Sequence, residues 1–115
     1  MKLIPLTATI VLIAGPAAAQ EVRITEEKPG LLKQARVPTE AATASALAKV
    51  PGGKLRSGEI EREDGRLIYS LVFKVEGKKG VEEVNVDALT GAVVGVEHEA
   101  DPLEPKSAQP APKKP

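Results

Sequence analysis

Across residues 55–96 bulky apolar residues recur at every second position, broken at short intervals by turn formers. Alternation of this kind sends successive side chains to opposite faces of a strand. Short turns between successive strands then make antiparallel neighbours. Residues 55–63 are the first candidate strand, with Ile60 inward and Gly58 in phase with it. A glycine there suggests a bulge or a thin spot. Asp64-Gly65 is a two-residue hairpin signal. Leu67, Tyr69, Leu71, Phe73 and Val75 share one face of the next strand, and Ile68, Ser70, Val72 and Lys74 the other. Gly77-Lys78-Lys79-Gly80 makes a turn. Val84, Val86 and Ala88 alternate with Glu83, Asn85 and Asp87. The turn over residues 87–91 leads to Val94 and Val96, with Val93 on the opposite face.

One helix precedes these strands. Thr39 can cap it, and Glu40 favours the positive end of its dipole. The run 41–49 is mostly Ala, a strong helix former. Val50-Pro51-Gly52-Gly53 ends it, because Pro cannot continue the ladder and Gly accepts a left-handed conformation. Leu47 and Val50, with Ala44 beside them, mark its apolar side, so an Ala-rich face should approach the sheet closely. The fold class is α+β: one N-terminal helix packed on a small antiparallel meander of three to four strands.

Both ends of the chain read differently. Met1-Lys2, an apolar run and the string Ala17-Ala18-Ala19 have the form of a secretory signal peptide over residues 1–19. The apolar run is shorter than the ~20 residues a bilayer span takes. Cleavage after Ala19 would leave a mature chain starting at Gln20, exported to the periplasm or the medium, with no transmembrane segment. Residues 20–37 are mostly polar and read as a linker with a possible short helix from Leu31. Residues 100–115 carry Pro102, Pro105, Pro110, Pro112 and Pro115, the composition of a solvated Pro-rich tail. Lys113 and Lys114 within it could touch an anionic envelope surface.

Composition removes several functions. The 16 Lys and Arg balance 16 Asp and Glu, so there is no basic footprint for nucleic acid. Tyr69 and Phe73 are the only aromatic residues, too few for a base-stacking platform. There is no Cys, hence no disulfide, thiol nucleophile or lipid-modified cysteine. His98 is the only His, which leaves no His pair for a typical catalytic zinc. Composition and spacing name no reaction.

Three strings in order carry a resemblance. They are Ala46-Leu47-Ala48-Lys49-Val50-Pro51-Gly52-Gly53, the run from Glu59 through Asp64-Gly65 to Tyr69, and Val84-Asn85-Val86-Asp87-Ala88-Leu89-Thr90-Gly91-Ala92-Val93-Val94. Together they resemble the PepSY domain, an Ala-rich helix ending in Pro-Gly-Gly, a strand, an acidic-Gly turn, a Tyr-bearing strand and a closing Val-Asp-Ala-x-Thr-Gly motif. The resemblance covers residues 38–99. It departs at Gly58, where the family commonly has a larger apolar residue. PepSY domains occur in propeptides of secreted metallopeptidases and as free-standing envelope proteins, and are proposed to restrain peptidases. The resemblance therefore implies a non-enzymatic exported protein that binds and inhibits a peptidase, with no catalytic residue, cofactor or metal. Pro51, Gly52, Gly53, Asp64, Gly65, Tyr69, Asp87, Thr90 and Gly91 match the family pattern as structural positions. Asp87 would accept local backbone hydrogen bonds and Gly91 would supply a positive φ. The alternative is an envelope structural or adaptor protein that uses the Pro-rich tail as a tether and has no peptidase target.

Other chemistry-bearing groups are weak. Glu97 and Glu99 share a strand face while His98 points the other way, so they read as an exposed strand end and not a metal site. Glu59, Glu61 and Glu63 share a face with Asp64 next; without a partner nucleophile they read as the solvated side of a sheet. Ser45, Ser57 and Ser70 have no Gly-x-Ser-x-Gly context. The loop from Gly77 to Gly80 is too short for a phosphate loop.

Overall fold

The computed structural model describes residues 22–105. The segment read as a signal peptide, and residues 106–115 of the tail with Lys113 and Lys114, lie outside them. Seven elements follow one another: β1 (Ile24–Glu26), α1 (Leu31–Gln34), α2 (Thr39–Leu47), β2 (Gly53–Glu63), β3 (Arg66–Val75), β4 (Val81–Asp87) and β5 (Val93–Glu99). The strands form one sheet in the order β1-β2-β3-β4-β5. Neighbours from β2 onward are antiparallel. β1 runs parallel to β2, pairing Ile24, Thr25 and Glu26 with Gly58, Glu59 and Ile60.

The class is α+β, with corrections to the expected architecture. The sheet is mixed and has five strands, and a second short helix packs with it. The stretch read as a linker with a possible short helix supplies both, β1 and α1. β1 escapes sequence patterning because only Ile24 of its three residues is apolar.

The α2 helix starts one residue earlier than the capping argument placed it. Pro38 is the N-cap, in extended conformation (φ −61°, ψ 151°), and Thr39 is the first helical residue. The Pro38 carbonyl accepts a hydrogen bond from Ala42 N at 3.0 Å. Glu40 does sit in the first turn. The buried face is Ala42, Ala46 and Val50, spaced four residues apart, whereas Leu47 is 40% exposed. Methyl-sized contacts let the helix axis approach the sheet, and Leu47, one position past Ala46, is rotated about 100° off that face.

On the sheet's inner face Ile60, Leu67, Tyr69, Leu71, Phe73, Val84 and Val86 join Leu31 of α1 and the Ala face of α2 in one core. Each large side chain removed from water here contributes roughly 1.5–3 kcal/mol. The β4–β5 register shifts between Asn85 and Val86. That irregularity sets Val93 opposite Val86 and on the core and puts Val94 on the outer face, while Val96 stays opposite Val84 but is 47% exposed on the edge strand. Strict alternation would have grouped Val94 and Val96 together on the buried side.

Gly58 is not a bulge. The ladder irregularity lies between Leu55 and Ser57, at Arg56. Gly58 is a seat: a Cβ there would come 2.4 Å from Ile24 Cδ1 and 2.9 Å from Leu71 Cδ2. The Ile24 side chain of β1 occupies the space that a larger residue in β2 would otherwise fill.

The chain just after β5 is anchored, contrary to the expectation of a solvated tail from residue 100. Asp101 is 1% exposed, the one buried charged residue among those described. Its Oδ2 lies 2.5 Å from Arg56 Nη1 and 3.4 Å from Lys74 Nζ. Glu104 pairs with Lys74 and accepts hydrogen bonds from Gly80 N. Hydrogen bonding from the Arg56 guanidinium holds the Asp101 carboxyl below its ordinary value, and Lys74 does the same to Glu104.

Candidate functional site

The residues matching the family pattern sit at three places. At the end of α2, Gly52 takes a φ of 76°, and a Cβ on Gly53 would lie 2.9 Å from both Val50 Cγ1 and Val50 O. Gly53 therefore has to lack a side chain for β2 to start against the helix end, and Pro51 begins this exit. At the far end of the β2–β3 hairpin, Asp64 and Gly65 have φ of 48° and 79°. Two successive left-handed residues match the right-handed twist of the flanking strands.

The third place gathers distant segments. Asp87 Oδ1 accepts hydrogen bonds from Leu89 N at 2.8 Å and Thr90 N at 3.1 Å. These donors stabilise the ionised form and lower its pKa. Thr90 Oγ1 accepts from Ala92 N, and Gly91, with φ of 81°, donates to Asp87 O at 2.8 Å. Ala88 O accepts from both Arg36 N and Val37 N, and the Tyr69 hydroxyl donates to Val37 O at 2.7 Å. The β4–β5 turn, Tyr69 of β3 and the connection between the helices are thus tied into one knot of hydrogen bonds. Of the nine matched residues, Tyr69, Asp87, Thr90 and Gly91 come together here. The Gly52 and Asp64 turns lie at opposite ends of β2. Each has a geometric task, and they line no common cleft.

The remaining candidates do not converge either. His98 Nδ1 lies 2.5 Å from Glu82 Oε1, a pair across β4 and β5 that leaves Glu97 and Glu99 out. Among the described residues no group of three His, Cys, Asp or Glu side chains could hold a metal ion. Glu59, Glu61 and Glu63 line the sheet face away from the helices. Partial burial of Glu61 and repulsion from Glu59, Glu63, Glu27 and Glu83 raise its pKa. Ser70 Oγ donates to Glu83 Oε1 at 2.9 Å, while Ser45 and Ser57 are exposed on separate elements. On the same sheet face Glu63, Asp64, Arg66, Ile68, Asn85 and Val94 line a shallow open depression.

The surfaces that remain are the two edges of the sheet. β5 ends in Glu97, His98 and Glu99 and carries the register shift opposite Val86. Charges and a bulge are the usual means of discouraging further pairing at an edge. The other edge is β2, eleven residues long, of which β1 covers three. The contact residues that build this edge carry no sequence signal beyond Gly58 itself, because Ile24 lies in a polar stretch. No described helix is long and apolar enough to cross a membrane.

Comparison with known proteins gives one match. Neither a curated protein nor a solved structure matches the chain. The family model described as the peptidase propeptide and YPEB domain, PepSY, matches residues 36–97, from the start of the Val37 knot to two residues short of the end of β5. With that model covering more than half of its length, the chain belongs to the PepSY family.

Proposed function

We propose that this chain is a non-enzymatic exported protein that binds and restrains a peptidase in the cell envelope. The observation that carries the reading is the match of residues 36–97 to a family described by its place in peptidase propeptides. Two features support it. The matched residues serve the turns at Gly52, Asp64 and Asp87 and the Val37 knot, as positions in a scaffold would. The sheet also keeps an edge that main-chain pairing could extend, the mode by which many domains hold an extended peptide.

The test is inhibition. Purified residues 20–115 are titrated against the exported peptidases of the same cells, with a quenched peptide substrate as readout. Concentration-dependent loss of cleavage by at least one enzyme supports restraint. Full activity of all of them at high molar excess overturns it. Crosslinking in the native compartment would then show whether other envelope proteins are the partners, as an adaptor role requires.

A further inference from the structure

We propose that β1 is a displaceable plug, and that the β2 edge beneath it is the docking site for an extended partner segment with an Ile, Val or Leu side chain placed over Gly58. The first observation is the seat. Gly58 leaves a notch in β2, and the Ile24 side chain fills it, reaching Leu71 of the core. A notch made by the absence of a side chain is specific for a branched aliphatic group from a neighbouring strand.

The second observation is the mismatch in length. β1 pairs with Gly58, Glu59 and Ile60 alone. Beyond it, Glu27 N donates to Ile60 O and the Glu27 carboxylate accepts from Arg62 N. Toward the start of β2 no described strand pairs with residues 53–57 on that side. From Val22 an open depression of about 1090 Å³ extends over the start of β2 and the end of β3, lined by Leu55, Arg56, Lys74, Glu76 and Gly77 among others. A segment parallel to β2 that anchors in the notch and continues beside residues 53–57 would add ladder hydrogen bonds to the three residue pairs that β1 makes among the described residues. Such a strand should displace β1 once its concentration exceeds the effective concentration of the tethered segment.

The third observation is placement. β1 and α1 precede residue 36, where the family match begins. The sheet from β2 to β5 lies within that match apart from His98 and Glu99 of β5, so β1 is an addition laid over an edge of the family's own scaffold. The opposite edge, β5, has its own bulge and charges. Displacement of β1 would give the restraint proposed above its contact surface. The experiment below contains no peptidase, so it judges the groove whether or not that reading survives.

The probe is the fluorescein-labelled peptide QEVRITEE, the sequence of residues 20–27, added to the full mature chain. In the native protein the tethered β1 competes at an effective concentration in the millimolar range, so the peptide binds weakly. Ile24→Gly removes the plug's anchor, and peptide affinity should rise by about tenfold or more by fluorescence anisotropy. Replacing the Ile of the peptide with Asn should abolish that gain. Thr25 and Glu59 face each other across the ladder, and the chain has no Cys of its own. In the Thr25→Cys, Glu59→Cys variant the oxidised disulfide should block peptide binding, and reduction should restore it. Equal binding by the native and Ile24→Gly proteins, or by the oxidised and reduced double variant, overturns the proposal.

Discussion

The Tyr69 hydroxyl shows how much one atom can organise. It is buried with its ring in the core and donates to the carbonyl of Val37, 32 residues upstream. Tyr69→Phe keeps the ring and strands that carbonyl. The loss should be about 1–2 kcal/mol, read as a lower urea midpoint with an unchanged slope. The tyrosine was legible in the sequence as part of the family pattern, but its partner was not, because a hydrogen bond to a backbone atom leaves no side-chain signature. Asp101 was illegible for a related reason. It stands among prolines and charges, and its burial comes from Arg56 and Lys74, which only the folded sheet brings together. Asp101→Asn should lower the midpoint at neutral pH by removing the partner of a guanidinium that β2 holds in place.

At the scale of elements, α2 separates pattern from packing. Its composition and its stop signal give the helix directly, yet its contact face could not be chosen by size. Leu47 is the largest apolar side chain of α2 and is still 40% exposed, because Ala42 and Ala46 set how closely the helix lies on the sheet. Ala46→Leu should therefore cost about 1–3 kcal/mol through overpacking. Leu47→Ala should change stability by no more than about 0.5 kcal/mol. Chemical denaturation of the two variants checks the order, which a helix packed through Leu47 would reverse. The strands β2, β3 and β4 were legible because turn chemistry and alternation agree there. β5 broke the alternation through its shifted register, and β1 had one apolar residue with which to announce itself.

Across the whole molecule, charge sets opposing trends with pH. Asp101 and Glu104 have lowered pKa values in the fold. Their stabilisation is complete above the ordinary carboxylate values and is lost as pH falls through the lowered ones. Glu61 has a raised pKa. Its contribution favours the fold at low pH and is lost as pH rises through the raised value. Urea midpoints followed from neutrality down to about pH 3 should fall steeply in the native protein and less steeply in Asp101→Asn. Glu61→Gln should raise the midpoint at neutral pH. Native-state hydrogen exchange should show the same molecule as a gradient. Amides of β3 and β4 should exchange by global opening alone, while those of β1 exchange through local opening.

Arg56 and Lys74 have one more consequence. They hold Asp101, and they line the same depression as Val22. Val22, at the start of the described residues, and Asp101, near their end, thus share Arg56 and Lys74 as neighbours. A unit built this way can be spliced into the loop of a host protein without prying the host apart. It should also tolerate re-cutting, with residues 22 and 105 joined by a short bridge and new ends opened at Lys78-Lys79, which a retained urea midpoint would check.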